Sequence, residues 1–488
     1  MVNSMSGKLA KLEPQPLWDY FEQICQIPRP SGKEERIRQF LLDFASKNRL
    51  KVKTDAAGNV LISKPATPGY ENRPGVVLQS HMDMVCEKNS DRRFNFDTDA
   101  IVPLIDNGWV KADGTTLGAD NGIGIAAQMA VLTDPGLEHG PVECLMTVDE
   151  ETGLSGAFAL QPGFFKGKIL LNLDSEDEGQ LFIGCAGGMD TVGELLVEKG
   201  QTPGKSFGMK IMVKGLLGGH SGDDIHKGRG NAIRILARFL GRAIRQFGVR
   251  IADFNGGNLR NAIAREASAL IIVPHVQKEQ LVAELNMFSA DLEFEYGRTE
   301  PNLVIDHSSW KLPEMVLSIG SQEKLINLIN ACPHGVLEMS PRMKEMVETS
   351  TNLASVRFAG ESVVVLATSQ RSELESRKSY AAGMVQAVFE LAGARVTQSA
   401  GYPGWTPNPD SAIVRTAADS YHRLFGKDPA VRSIHAGLEC GLFLEKYPDL
   451  DMVSFGPTLR NVHSPGERVH IETVSKFWTH LTDVLKSV

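Results

Sequence analysis

An α/β architecture is predicted, with a mostly parallel sheet flanked by helices and interrupted by an inserted α+β segment. Three observations predict it. Short apolar runs of the kind buried strands use, Val76–Ser80, Val142–Val148, Ile169–Leu173 and Met452–Phe455, are separated by helical patterns. From about Gly188 the texture changes to hairpins and long helices, and from about Gly401 the first texture returns. Histidines follow apolar runs on both sides of the interruption, at His81 and His463. The predicted parse is therefore 1–187 and 401–488 as one domain, with 188–400 inserted.

The elements follow in order. Leu17, Phe21 and Ile24 recur at helical spacing and stop before the Pro28-Arg29-Pro30 breaker. Ser31 with Glu34 reads as a capping box opening a helix that faces inward through Ile37, Phe40, Leu41 and Phe44. Asn59–Ser63 and Val76–Ser80 are extended. A Gly-rich turn, Leu117–Gly124, leads into a small-residue helix, Ile125–Leu132. In the insert, Met209–Val213 and Ala267–Val273 read as strands and Gly230–Gln246 as a basic amphipathic helix. Ser355–Phe358 and Ser362–Ala367 pair across Ala359-Gly360-Glu361, and Tyr380–Gly393 is a long helix. A helix at Ser411–Phe425 precedes the strand Met452–Phe455.

Composition excludes several classes. With 42% hydrophobic residues, 47 Gly and 24 Pro in 488, the chain is neither disordered nor collagen-like. No apolar stretch approaches the ~18–20 residues of a membrane helix, and MVNSMSGKLAKLEPQPLWDY has no apolar leader core. The expected location is cytoplasmic, with no membrane partner. The 51 basic and 59 acidic residues give a net −8 without a dense Lys/Arg block, which argues against nucleic acid as a partner. Six cysteines, at 25, 86, 144, 185, 332 and 440, form no C-x-x-C pair and fit reduced, buried thiols.

The chemistry lies where strands end. His81 and Asp83 follow one apolar run, Glu150 and Glu151 a second, and Asp174 a third. Asp120 sits in LGADNG and His463 beyond the last strand. Ligands of open α/β sheets bind at the carboxyl ends of strands, so these groups can converge. Taken singly, each has an ordinary structural reading: a hydrogen-bonded His, a solvated Glu-Glu pair, an Asp capping a helix. Together, carboxylates so placed need a cation or must stay partly protonated. Imidazoles with carboxylates are the donor set of zinc or a similar first-row ion.

The segments QSHMDMV, TTLGADNGIGIA, TVDEETG, LNLDSEDEG, VKGLLGGHSGDDI, IHAGLECG and GPTLRNVHSPGE resemble the di-zinc metallopeptidase family that includes carboxypeptidase G and aminoacylase. The likeness is to its aminoacyl-histidine dipeptidase branch and spans nearly the whole chain. It implies two divalent ions, Zn2+ foremost with Co2+ or Mn2+ as alternatives. Asp120 would bridge them, with His81 and Asp174 on one and Glu151 and His463 on the other. It further implies that Asp83 orients His81 and that Glu150 is the general base. His220 of GGHSG, by its residues alone a turn histidine, would stabilise the oxyanion from an inserted lid that also forms a homodimer. The implied substrate is an unblocked dipeptide, Xaa-His included.

Arg371 reads either as a carboxylate clamp or as a surface arginine. Asn255 and His435 lie in segments similar to family segments near the site. Glu439 reads as a partner for a substrate ammonium or as half of a buried ion pair, and Trp405 as loop packing rather than a substrate platform. The rival functions are an N-acyl-amino-acid deacylase, a catalytically silent metal-binding protein and a di-metal phosphoesterase, for which no phosphate-seating basic cluster is present.

Overall fold

The computed structural model describes residues 8–89, 91–343, 345–408 and 410–488. The first seven residues of the stretch read as lacking a leader core lie outside these. Two compact units result: Met1–Cys185 with Trp405–Ser433 and Leu438–Val488, and Ala186–Gly404 with Ile434–Gly437. Among the described residues, no helix is long and apolar enough to cross a membrane.

The first unit is built on an eight-stranded sheet in the order Lys51–Thr54, Val60–Lys64, Val142–Thr147, Val76–His81, Ile169–Asn172, Asp451–Ser454, Gln180–Cys185, Ala430–Ile434. Parallel pairing joins the four middle strands, from Val142–Thr147 to Asp451–Ser454. The Lys51–Thr54 and Val60–Lys64 hairpin adds to one side antiparallel, and Gln180–Cys185 runs antiparallel on the other. The mostly parallel sheet of the sequence reading is thus a parallel centre with antiparallel flanks. Val76–His81 is buried at every position, as a strand covered on both faces must be. Trp18, Phe21, Ile37, Leu41, Ile123, Met129, Phe477 and Leu481 pack with Leu78, Met146, Leu171 and Val453 of the strands. Each such fully buried side chain contributes roughly 1.5–3 kcal/mol.

The expected capping box does not form. The helix is Glu35–Lys47 and has no side-chain cap. Ser31 donates instead to Asp83 Oδ2 at 2.8 Å, and Glu34 Oε1 accepts from the Gly32 and Asp149 N–H groups. Tertiary partners have claimed both capping side chains. A small antiparallel sheet, in the order Leu459–Arg460, Arg468–His470, Trp109–Lys111, Leu104–Asp106, closes the hairpin whose loop carries His463.

The second unit is an antiparallel nine-stranded sheet backed by the helices Ala232–Phe247, Lys278–Tyr296, Ile319–Ala331 and Glu375–Leu391. Asn231 caps the first of these, its side chain accepting from the Ile233 and Arg234 N–H groups. The predicted hairpin is present and longer than expected, Val347–Phe358 against Val363–Ser372, with Gly360 at φ +74° in the turn. Its extension carries Arg371. Phe239, Leu240, Phe254, Ile271, Phe288, Leu366 and Phe389 fill the core.

Candidate metal centre

Seven of the predicted side chains meet at the carboxyl ends of the parallel strands. His81 closes Val76–His81; its Nε2 lies 2.9 Å from Asp120 Oδ1 and 3.4 Å from Asp174 Oδ1. Its other ring nitrogen faces Asp83 Oδ1 at 3.3 Å. His463 Nε2 lies 2.9 Å from Glu151 Oε2 and 3.3 Å from Asp120 Oδ2. Two donor triads follow, His81–Asp120–Asp174 and Asp120–Glu151–His463, each able to offer ligand atoms within 4.8 Å of one another. Asp120 belongs to both, one oxygen toward each histidine. A further group joins His81 with Glu150 and Glu151.

Backbone contacts hold these groups in place. Asp83 is fully buried and grips the turn after Val142–Thr147, accepting from the Glu150 N–H at 3.0 Å and the Glu151 N–H at 3.1 Å. Asp120 lies just inside the helix Ala119–Thr133 but is not helical, with ψ 112°. Asn121 donates to Asp174 Oδ1.

Two buried residues that sequence reasoning missed anchor the loops. Glu467 Oε2 accepts from the Leu117 and Gly118 N–H groups at 2.8 and 3.0 Å. Its Oε1 accepts from Ala119 and Asp120 at 2.7 and 3.3 Å. Arg29 donates to the carbonyls of Met82 and Asp83 at 2.9 and 2.6 Å, and to that of Gly118. Glu467 lies in the quoted GPTLRNVHSPGE, and Arg29 between two prolines. Neither has a sequence signal of its own, because their partners are backbone atoms.

The electrostatics are those of crowded acids. Burial raises Glu150 well above the ordinary carboxylate range, and Glu151, Asp174 and Glu439 add to this against the pull of His81. Burial and Asp120 push Glu151 up to about 7, despite its hydrogen bond with His463. Asp174 is raised as well, chiefly by burial. Burial alone would raise Asp83, yet His81, Ser31 and the Glu150 N–H bring it down to about 2. Burial would lower His463, but Asp120 and Glu151 carry it to about 11. Glu151 Oε1 is buried without a hydrogen-bond partner. An acid-rich donor set with an unsatisfied oxygen fits divalent cations, which would satisfy that oxygen and offset the repulsion.

A second group of predicted residues gathers in the other unit. Arg371 is buried, which excludes the surface reading. Its Nη1 donates to the Tyr402 hydroxyl at 2.9 Å, its Nε to Ser221 Oγ at 3.3 Å, and its Nη2 lies 3.5 Å from His220 Nε2. His220 Nδ1 accepts from the Asp223 N–H at 3.1 Å. His435 is buried beside them, Nε2 against Ser350 Oγ at 2.7 Å. Asn255 does not join this group; with Gly218 and Gly219 it lines a cavity of about 640 Å³. Tyr402 is the residue missed here.

Glu439 loses one of its two readings. It belongs to the first unit and is fully buried, with Oε2 accepting from Gln79 and Thr147. Its hydrogen-bond partners are neutral, so it is not half of a buried ion pair, and its Oε1 has no hydrogen-bond partner. Trp405 is 4% exposed and packs as loop core.

The profile of peptidase family M20/M25/M40 matches residues 77–487. The chain belongs to this family. It is 45% identical over 482 residues to the cytosol non-specific dipeptidase of Escherichia coli K12, covering 99% of each. The crystal structure of aminoacylhistidine dipeptidase from Vibrio alginolyticus superposes with a TM-score of 0.85 at 44% identity, covering 99% of this chain and 98% of that one. A tripeptidase from Staphylococcus aureus, 20% identical with a TM-score of 0.57 over 97% of this chain and 98% of that one, shares the fold. The chain is accordingly a hydrolase of the metallopeptidase kind, with an α/β fold common to this family.

Proposed function

We propose that this chain is a di-metal dipeptidase cleaving unblocked dipeptides with broad side-chain tolerance, Xaa-His among them. The observation that carries the reading is Asp120, shared between two donor triads at the ends of the parallel strands. His81 and Asp174 would hold one ion, Glu151 and His463 the other, and Asp120 would serve both. Zn2+ suits the imidazole and carboxylate donors, and Co2+ or Mn2+ suits the same set. When bound, such ions supply Lewis acidity toward water and the peptide carbonyl.

The chain's own groups do the rest. Asp83 faces the second ring nitrogen of His81 and fixes its orientation and tautomer. Glu150 is held beside the triads by the contact of its N–H with Asp83, and it is none of the five ligands assigned above. Its carboxylate takes a proton from the attacking water and returns it to the leaving amine. The buried surroundings that raise its proton affinity suit that shuttle. In the second unit, His220 serves as oxyanion donor and Arg371 receives the substrate carboxylate in its planar fork. Asn255 and His435 complete the proposed substrate contacts. The inserted segment 188–400 is read as lid and homodimer interface, with 1–187 and 401–488 as the catalytic domain; the compact unit that contains the insert also takes in Tyr402 and His435. A cytoplasmic location accords with the word cytosol in the E. coli relative's name.

The test is a panel of free dipeptides and their N-acetylated counterparts, assayed with and without chelator. Faster hydrolysis of free dipeptides, lost on chelation, is expected. Preference for the acetylated set would replace this reading with that of a deacylase.

A further inference from the structure

Beneath the metal centre a chain of buried polar side chains crosses all four parallel strands. Glu439 Oε2 accepts from Gln79 Nε2 at 2.5 Å and from Thr147 Oγ1 at 2.7 Å. Gln79 Oε1 accepts from Asn172 Nδ2 at 2.5 Å, and Asn172 Oδ1 from Ser454 Oγ at 2.5 Å. Ser454 in turn lies 2.6 Å from Ser175 Oγ. Gln79, Thr147, Asn172, Ser454 and Glu439 have no exposed surface. Backbone pairing already sets the register of these strands, and apolar side chains would fill the space at lower cost in desolvation. Every residue of the chain stands within three positions of a group in the centre or contacts one that does. Gln79 precedes His81 by two, Thr147 precedes Glu150 by three, and Asn172 precedes Asp174 by two.

We propose that Glu439 is a positioning residue: it ties the carboxyl ends of Val76–His81 and Val142–Thr147 together and so sets the placement of His81 relative to the Glu150–Glu151 turn. The inference rests on reading the site as a metal centre. Glu439 comes from outside the sheet, at the start of the helix Cys440–Lys446, and its Oε2 accepts from both Gln79 and Thr147, whose side chains also meet directly, Gln79 Nε2 donating to Thr147 Oγ1 at 3.3 Å. This side chain reaches the two strand ends from a separate element and adds to the ladder that pairs them. Burial, opposed by Thr147 and His81, pushes Glu439 up to about 8.

The experiment is Zn2+ affinity, measured by competition with a chromogenic chelator, on the full chain and three variants, alongside kcat and KM for a free dipeptide. Glu439→Gln keeps one oxygen for both donors and is expected to bind Zn2+ nearly as tightly as the parent. Glu439→Ala removes the shared acceptor, and its Zn2+ affinity is expected to fall roughly 10–100-fold, as for other groups that orient metal ligands. Its kcat should fall with KM little changed. Thr147→Val removes one of the two bonds with a residue of the same shape, and a smaller loss is expected. It supplies the reading if Glu439→Ala does not fold. Equal losses in the Gln and Ala variants, or no loss in Ala and Val, would overturn the inference. A raised KM in Glu439→Gln with unchanged Zn2+ affinity would overturn it in favour of a substrate contact. Failure of the parent to bind Zn2+ would instead overturn the metal-centre reading itself.

Discussion

Replacing Glu467 by glutamine tests how the loop carrying Asp120 is held. The carboxylate accepts four backbone N–H groups, two on each oxygen, at 2.7 to 3.3 Å, and is 2% exposed. A glutamine keeps one oxygen and turns an NH2 toward the other two donors, so two buried N–H groups lose their acceptor. At about 1–3 kcal/mol for each orphaned donor, the cost is about 2–6 kcal/mol, the lower end applying if the loop relaxes. That corresponds to a fall in Tm of roughly 5–20 °C for a unit of this size. Because Asp120 is the last of the four residues, the same variant is expected to retain less metal. Scanning calorimetry of metal-loaded and metal-stripped protein measures the first effect, and elemental analysis the second. Parent-like Tm with full metal content would show that the loop does not depend on Glu467.

Other outcomes follow from the same geometry. Arg371→Lys loses the planar fork that reaches Tyr402 and Ser221, so KM for dipeptides should rise on the order of tenfold with kcat changing less, the cost of one charged hydrogen bond at ~1.5–3 kcal/mol. Burial holds His334 and His435 at about 3, and unfolding returns them to about 6.5. The unfolded state then binds more protons across that window, so stability is full above it and is lost as pH falls from 6.5 toward 3. In His334→Asn, urea midpoints should depend less steeply on pH over that range, and an unchanged slope would contradict the assignment. With Glu151 near 7 and His463 near 11 before ions bind, metal uptake displaces protons. Zn2+ affinity should accordingly climb from pH 6 to 8, and a pH-independent affinity would count against this ligand set.

The sequence made legible what rests on local pattern. The apolar runs ending in His81, Glu150 and Asp174 announce both a strand and a polar group at its carboxyl end, so the sheet centre and the cluster upon it could be read together. What rests on long-range backbone contacts was hidden. Glu467 serves N–H groups some 350 positions away, and Arg29 serves carbonyls of two loops. None of these partners leaves a mark on neighbouring residues. Ser31 and Glu34 were misread for the complementary reason: their spacing fits a local cap, but Asp83 and the Asp149 N–H compete for the same atoms and prevail. The strand Gly187–Leu196 escaped notice because its glycines and polar residues interrupt the alternation by which strands are recognised.

The central claim is that Glu150 moves the proton beside a metal pair held by other side chains. Measuring metal content together with kcat for Glu150→Gln tests it most directly. Two ions per chain retained and kcat lowered by roughly 10²–10⁴-fold is the predicted result. Full metal content with parent-like turnover would contradict it.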